Sequence, residues 1–362
     1  MGNQVFMQGN QAMAESAIRA GCKLFFGYPI TPSSEVPEYY ARAMRERPEE
    51  GITFIQAETE VAAFNMVAGA AATGHRAMTA TSGPGFSLGQ EAMSYMSAAD
   101  LPAVIVEIMR AGPADGEILA AQGDYFQATK GGGHGDYRLV VFAPASVQES
   151  IDLMSVAFDT ADKYQCPVMI VADGMICQMM EPVVLPEMKE YKVDLEKKPW
   201  AANGHGLSKK SGRSIINSMY ITTEALSEHN EVLQACYREI EKNEIRYEAY
   251  NMENAEIVVT AFGTVARIAK SAIDELKEEG INIGMIRPIT LWPFPTKALH
   301  DAAVAPGIKA VLDVELNAGQ MLEDVKLAVN GENKVDFFGH YGSQMPTPEE
   351  IKAKLLSMRE VL

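Results

Sequence analysis

The stretch RAMTATSGPGFSLGQEAMSYMSAADLPAVIVEIMRAGP (76–113) decides the fold. Two short apolar runs, 76–81 and 102–109, are typical of strands, and a helical pattern at 86–98 separates them. Strands that are apolar at nearly every position need cover on both faces, and a helical crossover joins parallel neighbours. The stretch therefore predicts a βαβ unit within a parallel sheet.

The same alternation extends over the first 175 residues. Further strands are predicted at 23–28, 52–56, 139–143 and 167–173, and further helices at 10–20, 35–46, 60–73 and 146–163. Strands and helices that alternate in this way indicate an α/β fold with a doubly wound, mostly parallel sheet.

The later part of the chain reads as a linker and a second, smaller α/β domain. From about Glu181 to Tyr250 the periodicity is weak, with a polar SKKSGRS stretch (208–214) before a charged helical run at 228–247. A strand at 256–263 and a helix at 264–280 that ends on Gly280 then open the second domain. The predicted boundaries are 1–185, 186–254 for the linker and 255–362.

Composition excludes several classes of partner. The 362 residues carry a net charge of −17, which disfavours nucleic acid and anionic membranes. The four cysteines are scattered singly without a CxxC pair, so no metal site is predicted within the chain. No apolar run is long enough to span a bilayer, and we expect a cytoplasmic protein.

In open α/β sheets, ligands bind beyond the carboxyl ends of the strands, so the post-strand loops matter most. In GYPITPSSE (27–35), two prolines restrict Thr31, and either Ser33 or Ser34 could cap the next helix. In QAETE (56–60), Glu58 and Glu60 precede a helix of small residues that would let a planar ring or another subunit approach.

Three further loops carry candidate chemistry. Ser82, Gly83 and Gly85 open a helix, but their spacing misses the GxGxxG dinucleotide pattern, and the chain has no P-loop sequence. Arg110 follows a strand, where it could bind a substrate carboxylate or pair with a local acid such as Glu107. His134, within GGGHGD (131–136), could transfer protons, although a structural or solvated role is commoner.

These loops together resemble the alpha-type subunit of the 2-oxoacid:ferredoxin oxidoreductase family, most of all its 2-oxoisovalerate (3-methyl-2-oxobutanoate) type. The resemblance covers nearly the whole chain and is carried by GYPITPSSE (27–35), QAETEVAAFN (56–65), TATSGPGFSLGQEAMSYM (79–96), EIMRAGP (107–113), QGDYFQATKGGGHGDY (122–137) and RPITLWPFP (287–295).

The resemblance implies a domain that binds the aminopyrimidine ring of thiamine diphosphate, followed by a transketolase C-terminal-like domain without catalytic residues. It assigns Glu60 to the aminopyrimidine, with Glu58 as the alternative if the register shifts by two residues. Thr31 and Arg110 would hold the 2-oxoacid. The residues expected near the cofactor are Tyr28, Pro29, Ser82, Gly83 and Gly85, with Ser33 and His134 as weaker candidates.

The family also implies partners. The chain lacks the GDG…N motif that binds Mg²⁺ and diphosphate, so a beta-type subunit would supply that half of the site. Gamma-type and ferredoxin-like delta-type subunits would complete a heteromer, with [4Fe–4S] clusters on the partners and ferredoxin as electron acceptor.

The implied reaction is coenzyme A-dependent oxidative decarboxylation of 2-oxoisovalerate, in anaerobic metabolism and branched-chain amino acid catabolism. The same chemistry on 2-oxoglutarate or pyruvate is one alternative, and a non-catalytic scaffold subunit is another. A nicotinamide-linked dehydrogenase is disfavoured by the glycine spacing, and a decarboxylase acting alone by the absent diphosphate motif.

Overall fold

The computed structural model describes residues 4–202 and 214–362, so Ser208–Arg213 of the SKKSGRS stretch lie outside the described residues. The first part of the chain contains, in order, β1 (Gln4–Gln8), α1 (Gly9–Arg19), β2 (Leu24–Gly27), α2 (Glu35–Glu46), β3 (Thr53–Gln56), α3 (Glu60–Ala72), β4 (Ala77–Thr81), α4 (Pro84–Ala98), β5 (Ala103–Ala111), β6 (Glu117–Ala120), α5 (Tyr125–Thr129), β7 (Val140–Phe142), α6 (Val147–Tyr164), β8 (Pro167–Asp173), α7 (Gly174–Gln178) and β9 (Met180–Val184).

The main sheet has the strand order β13-β7-β8-β5-β4-β2-β3, in which β13 (Thr290–Trp292) comes from the later part of the chain, and β6 pairs with β5. Neighbours from β7 to β3 are parallel, which confirms the predicted doubly wound sheet. Strand β5 is buried throughout, and its residues alternate between two apolar clusters. Ile105 and Met109 join one cluster, whereas Val104 and Val106 join the other. Cover on both faces explains why this strand is a continuous apolar run.

The rest of the chain contains α8 (Thr223–Asn243), β10 (Tyr247–Tyr250), β11 (Ile257–Thr260), α9 (Gly263–Glu278), β12 (Ile283–Pro288), β13 (Thr290–Trp292), α10 (Thr296–Ala303), β14 (Ala310–Glu315), α11 (Met321–Val329), β15 (Lys334–Gly339) and α12 (Pro348–Glu360). A second sheet has the order β10-β12-β11-β14-β15, parallel except for the β10–β12 pair. Gly280 follows α9 with a φ of 80°, as a helix-ending glycine should.

Three strand pairings differ from the sequence expectation. Strand β10 lies inside the range expected to be linker, yet it pairs along its length with β12 of the second sheet. Strand β13, within RPITLWPFP (287–295), belongs by sequence to the second α/β unit (255–362), but it pairs with β7 at the edge of the first sheet. The two-stranded β1–β9 ribbon was not predicted either. These pairings join residues far apart in sequence, so no local pattern reveals them.

The second unit is held over the carboxyl edge of the first sheet by buried polar contacts. The Gln122 side chain donates to the Phe262 carbonyl at 2.8 Å and accepts from the Leu316 amide at 3.1 Å. Asp173, at the end of β8, accepts from the Thr264 amide at 2.7 Å and from its hydroxyl at 2.5 Å. Each contact satisfies buried groups on both sides, so the two units are positioned together.

Arg287 makes a third connection from the end of β12. Its side chain, 6% exposed, contacts Glu149 of α6 at 2.8 Å and Glu248 of β10 at 2.8 Å. Among the described residues, no helix has the length and apolarity needed to cross a bilayer.

Candidate active site

Four of the predicted loops lie side by side at one edge of the main sheet. They follow β3, β2, β4 and β5, which are neighbours in that order and run parallel. From β2 the chain continues to β3 on one side and then to β4 on the other. Such a reversal separates the adjacent loops and opens a crevice, which is where α/β sheets bind ligands.

Glu60 is the first residue of α3 and is 8% exposed. The Thr59 hydroxyl caps this helix by accepting from the Ala62 amide at 3.1 Å. Within the described ranges, the Glu60 carboxyl group has no hydrogen-bond partner. Below it, a Cβ added to Gly85 would lie 2.7 Å from Glu60 Oε1 and 2.3 Å from Thr81 Oγ1. Gly85 therefore lets these two side chains pack directly against its backbone, and the Glu60 carboxyl group keeps its acceptor capacity for a hydrogen-bonding ring.

Glu58 differs from Glu60 in its environment. Its side chain is exposed on the loop before α3 and makes no hydrogen bond or ion pair with the part of the chain that the structure describes. Of the two acids, only Glu60 is enclosed by the helix and the glycine turn.

Arg110 is 9% exposed at the end of β5. Its Nη1 donates to the Thr31 carbonyl at 2.9 Å and its Nη2 to the Asp115 carbonyl at 3.0 Å. The guanidinium group therefore binds backbone carbonyls rather than the local acid considered above. The Thr31 side chain is exposed, as are Tyr28 and Pro29 on the same loop.

The serines of these loops have different surroundings. Ser33 is buried, and its hydroxyl donates to the Ile30 carbonyl at 2.8 Å, which stabilises the turn. The predicted serine cap of α2 is wrong, because the N-cap residue is Ser34 and its side chain makes no capping hydrogen bond. Ser82 is fully buried, and its hydroxyl has no partner among the described residues.

His134 lies on an exposed loop that follows α5. The loop is attached through Tyr137, whose hydroxyl accepts from the Gly133 amide at 3.0 Å and donates to Gln90 Oε1 at 3.2 Å. A Cβ on Gly133 would lie 2.4 Å from the Gln90 carbonyl oxygen, so close backbone packing explains at least this glycine.

A cavity of about 820 Å³ separates the sheet edge from the second unit. Gly83, Arg110 and Asp124 line one wall, and the second unit contributes Tyr341 and the loop 316–320. Among the described lining residues, Arg110 is the one cation and Asp124 the one carboxyl group. The contribution of the second unit was missed from sequence, because that loop carries no recognisable motif.

Glu107 was considered from sequence only as a partner for Arg110. It is fully buried on β5, and its Oε1 accepts from the Gly83 amide at 2.8 Å. Burial, and then the neighbouring Asp124, raise the pKa of Glu107 well above its ordinary value. Burial also raises the pKa of Asp124. The signal was available, since Glu107 is an acid within the otherwise apolar run PAVIVEIM.

These observations fit one half of a thiamine diphosphate site. Glu60 provides an acceptor without a hydrogen bond to the described chain, Gly85 allows its carboxyl group to pack against the turn, and the buried Thr81 hydroxyl beside it has no partner in the described chain. Within residues 4–202 and 214–362, no three His, Cys, Asp or Glu side chains are grouped as a metal site would require.

Comparison with known proteins identifies the family. A family model described as pyruvate flavodoxin/ferredoxin oxidoreductase, thiamine diphosphate-binding, matches residues 15–249. The chain belongs to this family. A second model, pyruvate:ferredoxin oxidoreductase core domain II, matches residues 255–351. The thiamine diphosphate-binding domain expected from the sequence motifs is thereby confirmed.

Two curated relatives cover almost the whole chain. Ketoisovalerate oxidoreductase subunit VorB of Methanothermobacter marburgensis is 46% identical over 350 residues, which is 96% of each chain. The 2-oxoglutarate synthase subunit KorA of Methanocaldococcus jannaschii is 36% identical over 370 residues, 97% of this chain and 99% of the relative. Both are named as oxidoreductase or synthase subunits, in agreement with an enzyme that works with partner chains.

Solved structures support the fold. A 2-oxoglutarate:ferredoxin oxidoreductase from Magnetococcus marinus matches with a TM-score of 0.85 at 24% identity, over 98% of this chain and 65% of that chain. A split-gene transketolase matches with a TM-score of 0.59 at 15% identity, over 97% of both chains. The arrangement of the two α/β units is therefore shared with transketolase-like proteins.

Proposed function

We propose that this chain is the pyrimidine-binding subunit of a thiamine diphosphate-dependent 2-oxoacid:ferredoxin oxidoreductase whose substrate is 2-oxoisovalerate. The observation that carries the proposal is Glu60, a buried carboxyl group without an internal partner, over Gly85 at the same sheet edge as Arg110. A scaffold subunit would have no need for a mostly buried acid that makes no hydrogen bond to the described chain and packs against a glycine turn beside a ligand crevice.

Each residue then has a distinct task. Glu60 would share a proton with a ring nitrogen of the aminopyrimidine. Gly85 lets the Glu60 carboxyl group and the Thr81 hydroxyl pack directly against the turn. Arg110 would orient the 2-oxoacid through charge-assisted hydrogen bonds together with Thr31. Thiamine diphosphate, when bound, supplies the stabilised carbanion chemistry by which 2-oxoacids lose carbon dioxide. Ser33, Glu58 and His134 receive no direct role in this proposal.

The cavity next to Arg110 supports a branched-chain substrate. The wall that the second unit contributes to this cavity includes Leu316 and Ala318. Among the described residues that line the cavity, Arg110 is the one cation. The second carboxylate of 2-oxoglutarate would have no cation there and would face Asp124, whereas an apolar side chain would contact an apolar wall. The name of the M. marburgensis relative agrees with this choice.

The surface around Glu60 supports a partner that completes the site. The apolar side chains Ile55, Val61, Leu88 and Tyr95 are 39–52% exposed on β3, α3 and α4. Apolar groups clustered in this way mark protein interfaces. We assign this face to a beta-type subunit with the Mg²⁺ and diphosphate half, within a heteromer that also has gamma- and delta-type subunits, [4Fe–4S] clusters and coenzyme A as acyl acceptor.

The proposed domain boundaries are 1–185, 186–254 and 255–362. In this division β10 belongs to the second sheet although it precedes residue 255.

The test is reduction of a viologen dye by the complex purified through this chain, with coenzyme A and four acids: 2-oxoisovalerate, 2-oxoglutarate, pyruvate and an aryl 2-oxoacid. We expect the fastest reduction with 2-oxoisovalerate. Preference for another acid would change the substrate and keep the chemistry. No reduction with any acid by an intact complex would support the scaffold alternative.

A matched pair of variants tests the catalytic assignment. Glu60→Gln should abolish turnover while the complex still assembles, because the amide cannot exchange a proton with the ring. Glu58→Gln, two residues away and exposed, should retain turnover. The reverse pattern would move the role to Glu58, and full activity of both variants would refute the assignment.

A further inference from the structure

Glu107 connects the two halves of the candidate site through the backbone of a glycine turn. It lies opposite Thr81 in the β4–β5 pairing, and its Oε1 accepts from the Gly83 amide at 2.8 Å. Gly83 has a φ of 42° and is the N-cap residue of α4. A positive φ of this kind favours glycine over other residues. Gly83 is therefore needed for the turn that directs its own amide at the Glu107 carboxyl group.

The turn separates Glu60 from Arg110. On one side, the position of a Cβ on Gly85 is occupied by Glu60 and Thr81 atoms. On the other side, the position of a Cβ on Gly83 lies 3.5 Å from Arg110 Cγ and Nε. Movement of the turn would therefore displace both side chains.

The second oxygen of Glu107, Oε2, receives no hydrogen bond from the described part of the chain. Its charged or titratable neighbours are Asp124, Arg110 and the buried Cys177 thiol. Arg110 donates its Nη groups to backbone carbonyls instead of to either acid. A fully buried carboxyl group that has one donor and another acid beside it is more stable with a proton. The raised pKa of Glu107 agrees with this geometry.

We infer that Glu107 is a positioning residue that stays protonated in the working enzyme, accepting from the Gly83 amide through one oxygen and sharing its proton with Asp124 through the other. This inference rests on the proposed function. The two acids together then carry one negative charge beside Arg110 rather than two. The positive field of the guanidinium group stays available for the carboxylate of a 2-oxoacid, and the turn stays in place between Glu60 and Arg110.

Glu107→Gln reproduces the neutral state, since an amide has one acceptor and one donor in similar positions. Glu107→Leu keeps the volume but removes the acceptor for the Gly83 amide. Glu38→Gln, on the exposed side of α2, is the control for loss of an acid. All are made in the complete complex, and none of the first readouts requires turnover.

The direct readout is the infrared difference spectrum between complexes with carbon-13-labelled glutamate and complexes with unlabelled glutamate. We expect a band from a buried protonated carboxyl group at neutral pH, absent in Glu107→Gln and unchanged in Glu38→Gln. Affinity for thiamine diphosphate, measured by calorimetry, should stay within about threefold in Glu107→Gln and fall by about tenfold in Glu107→Leu, as for loss of one hydrogen bond.

A pH profile separates this role from a merely structural one. On the alkaline side of the working pH, the KM of the wild-type complex for the 2-oxoacid should rise where Glu107 loses its proton, while that of Glu107→Gln stays flat. Absence of the infrared band, or a loss of cofactor affinity in Glu107→Gln equal to that in Glu107→Leu, would overturn the inference. If Glu107→Leu fails to fold, the infrared band and the pH profile still decide.

Failure of the proposed function has a different result. In that case the wild-type complex binds no thiamine diphosphate and reduces no viologen, whereas the infrared comparison still reports whether Glu107 holds a proton.

Discussion

Gly85→Ala tests whether the position of the Glu60 carboxyl group is needed for catalysis. A Cβ at this position would lie 2.3 Å from Thr81 Oγ1, 2.7 Å from Glu60 Oε1 and 2.8 Å from Glu60 Cγ. Ordinary contacts begin near 3.4 Å, so the Thr81 oxygen must move by about 1.1 Å and the Glu60 oxygen by about 0.7 Å. The backbone of Gly85 has no positive φ, so alanine acts through this crowding alone.

Overpacking of this size costs about 1–3 kcal/mol of stability. A catalytic group misplaced by about 1 Å costs about 100-fold in rate. We therefore expect a complex that assembles with a modestly lower melting temperature but turns over about 100-fold more slowly. Viologen reduction per assembled complex gives the rate, and thermal denaturation gives the stability.

Gly69→Ala is the matched control, because it also lies in a helix and its Cβ would meet nothing within 4 Å in this chain. It should stabilise the isolated chain by about 0.5–1 kcal/mol and keep turnover per complex. If Gly85→Ala turns over within about threefold of the wild type, the position of the Glu60 carboxyl group does not limit catalysis.

Four other variants test separate contacts. Arg110→Lys should raise the KM for the 2-oxoacid by at least about tenfold, because lysine cannot hold two carbonyls and orient a carboxylate as the planar guanidinium group does; an unchanged KM contradicts this. The pKa of Asp313 is raised by burial, so its stabilising effect is complete at low pH and falls as the pH rises. Asp313→Asn should therefore flatten the decline in unfolding free energy between about pH 5 and 8, measured with urea; an equal decline in both proteins counts against it. Arg287→Met should lower the unfolding free energy by about 2 kcal/mol, since it removes the ion-pair partner of Glu149 and leaves Glu248 with Lys270 alone, and a loss below about 0.5 kcal/mol would show that this connection is dispensable. Tyr95→Asp, at a site 47% exposed on α4, should leave the chain folded by circular dichroism but reduce co-purification of the partner about tenfold, and normal recovery would place the interface elsewhere.

The first sheet and its site could largely be predicted from sequence because both depend on local patterns. Strand β5 is apolar at nearly every position of the run PAVIVEIM because both faces of the sheet are covered. Parallel order then places all post-strand loops at one edge, so the sequence alone is enough to group Glu60, Gly85 and Arg110.

Local patterns do not determine which distant segments pair. Strands β10 and β13 both lie next to strands of the second sheet in the sequence. Strand β10 forms an edge of that sheet, whereas β13 forms an edge of the first sheet. The choice depends on edge hydrogen bonds that become available only after both sheets have formed.

The amino-acid sequence by itself determined the parallel core, the loops at its carboxyl edge and the family. Only the tertiary structure decided that Arg110 binds the Thr31 and Asp115 carbonyls and that the second unit lines the cavity. It also decided that Glu107 is buried beside a second acid, where it is more stable with a proton. The physical reason is that pattern and propensity act along the chain, whereas burial and charge depend on every segment that packs around a group.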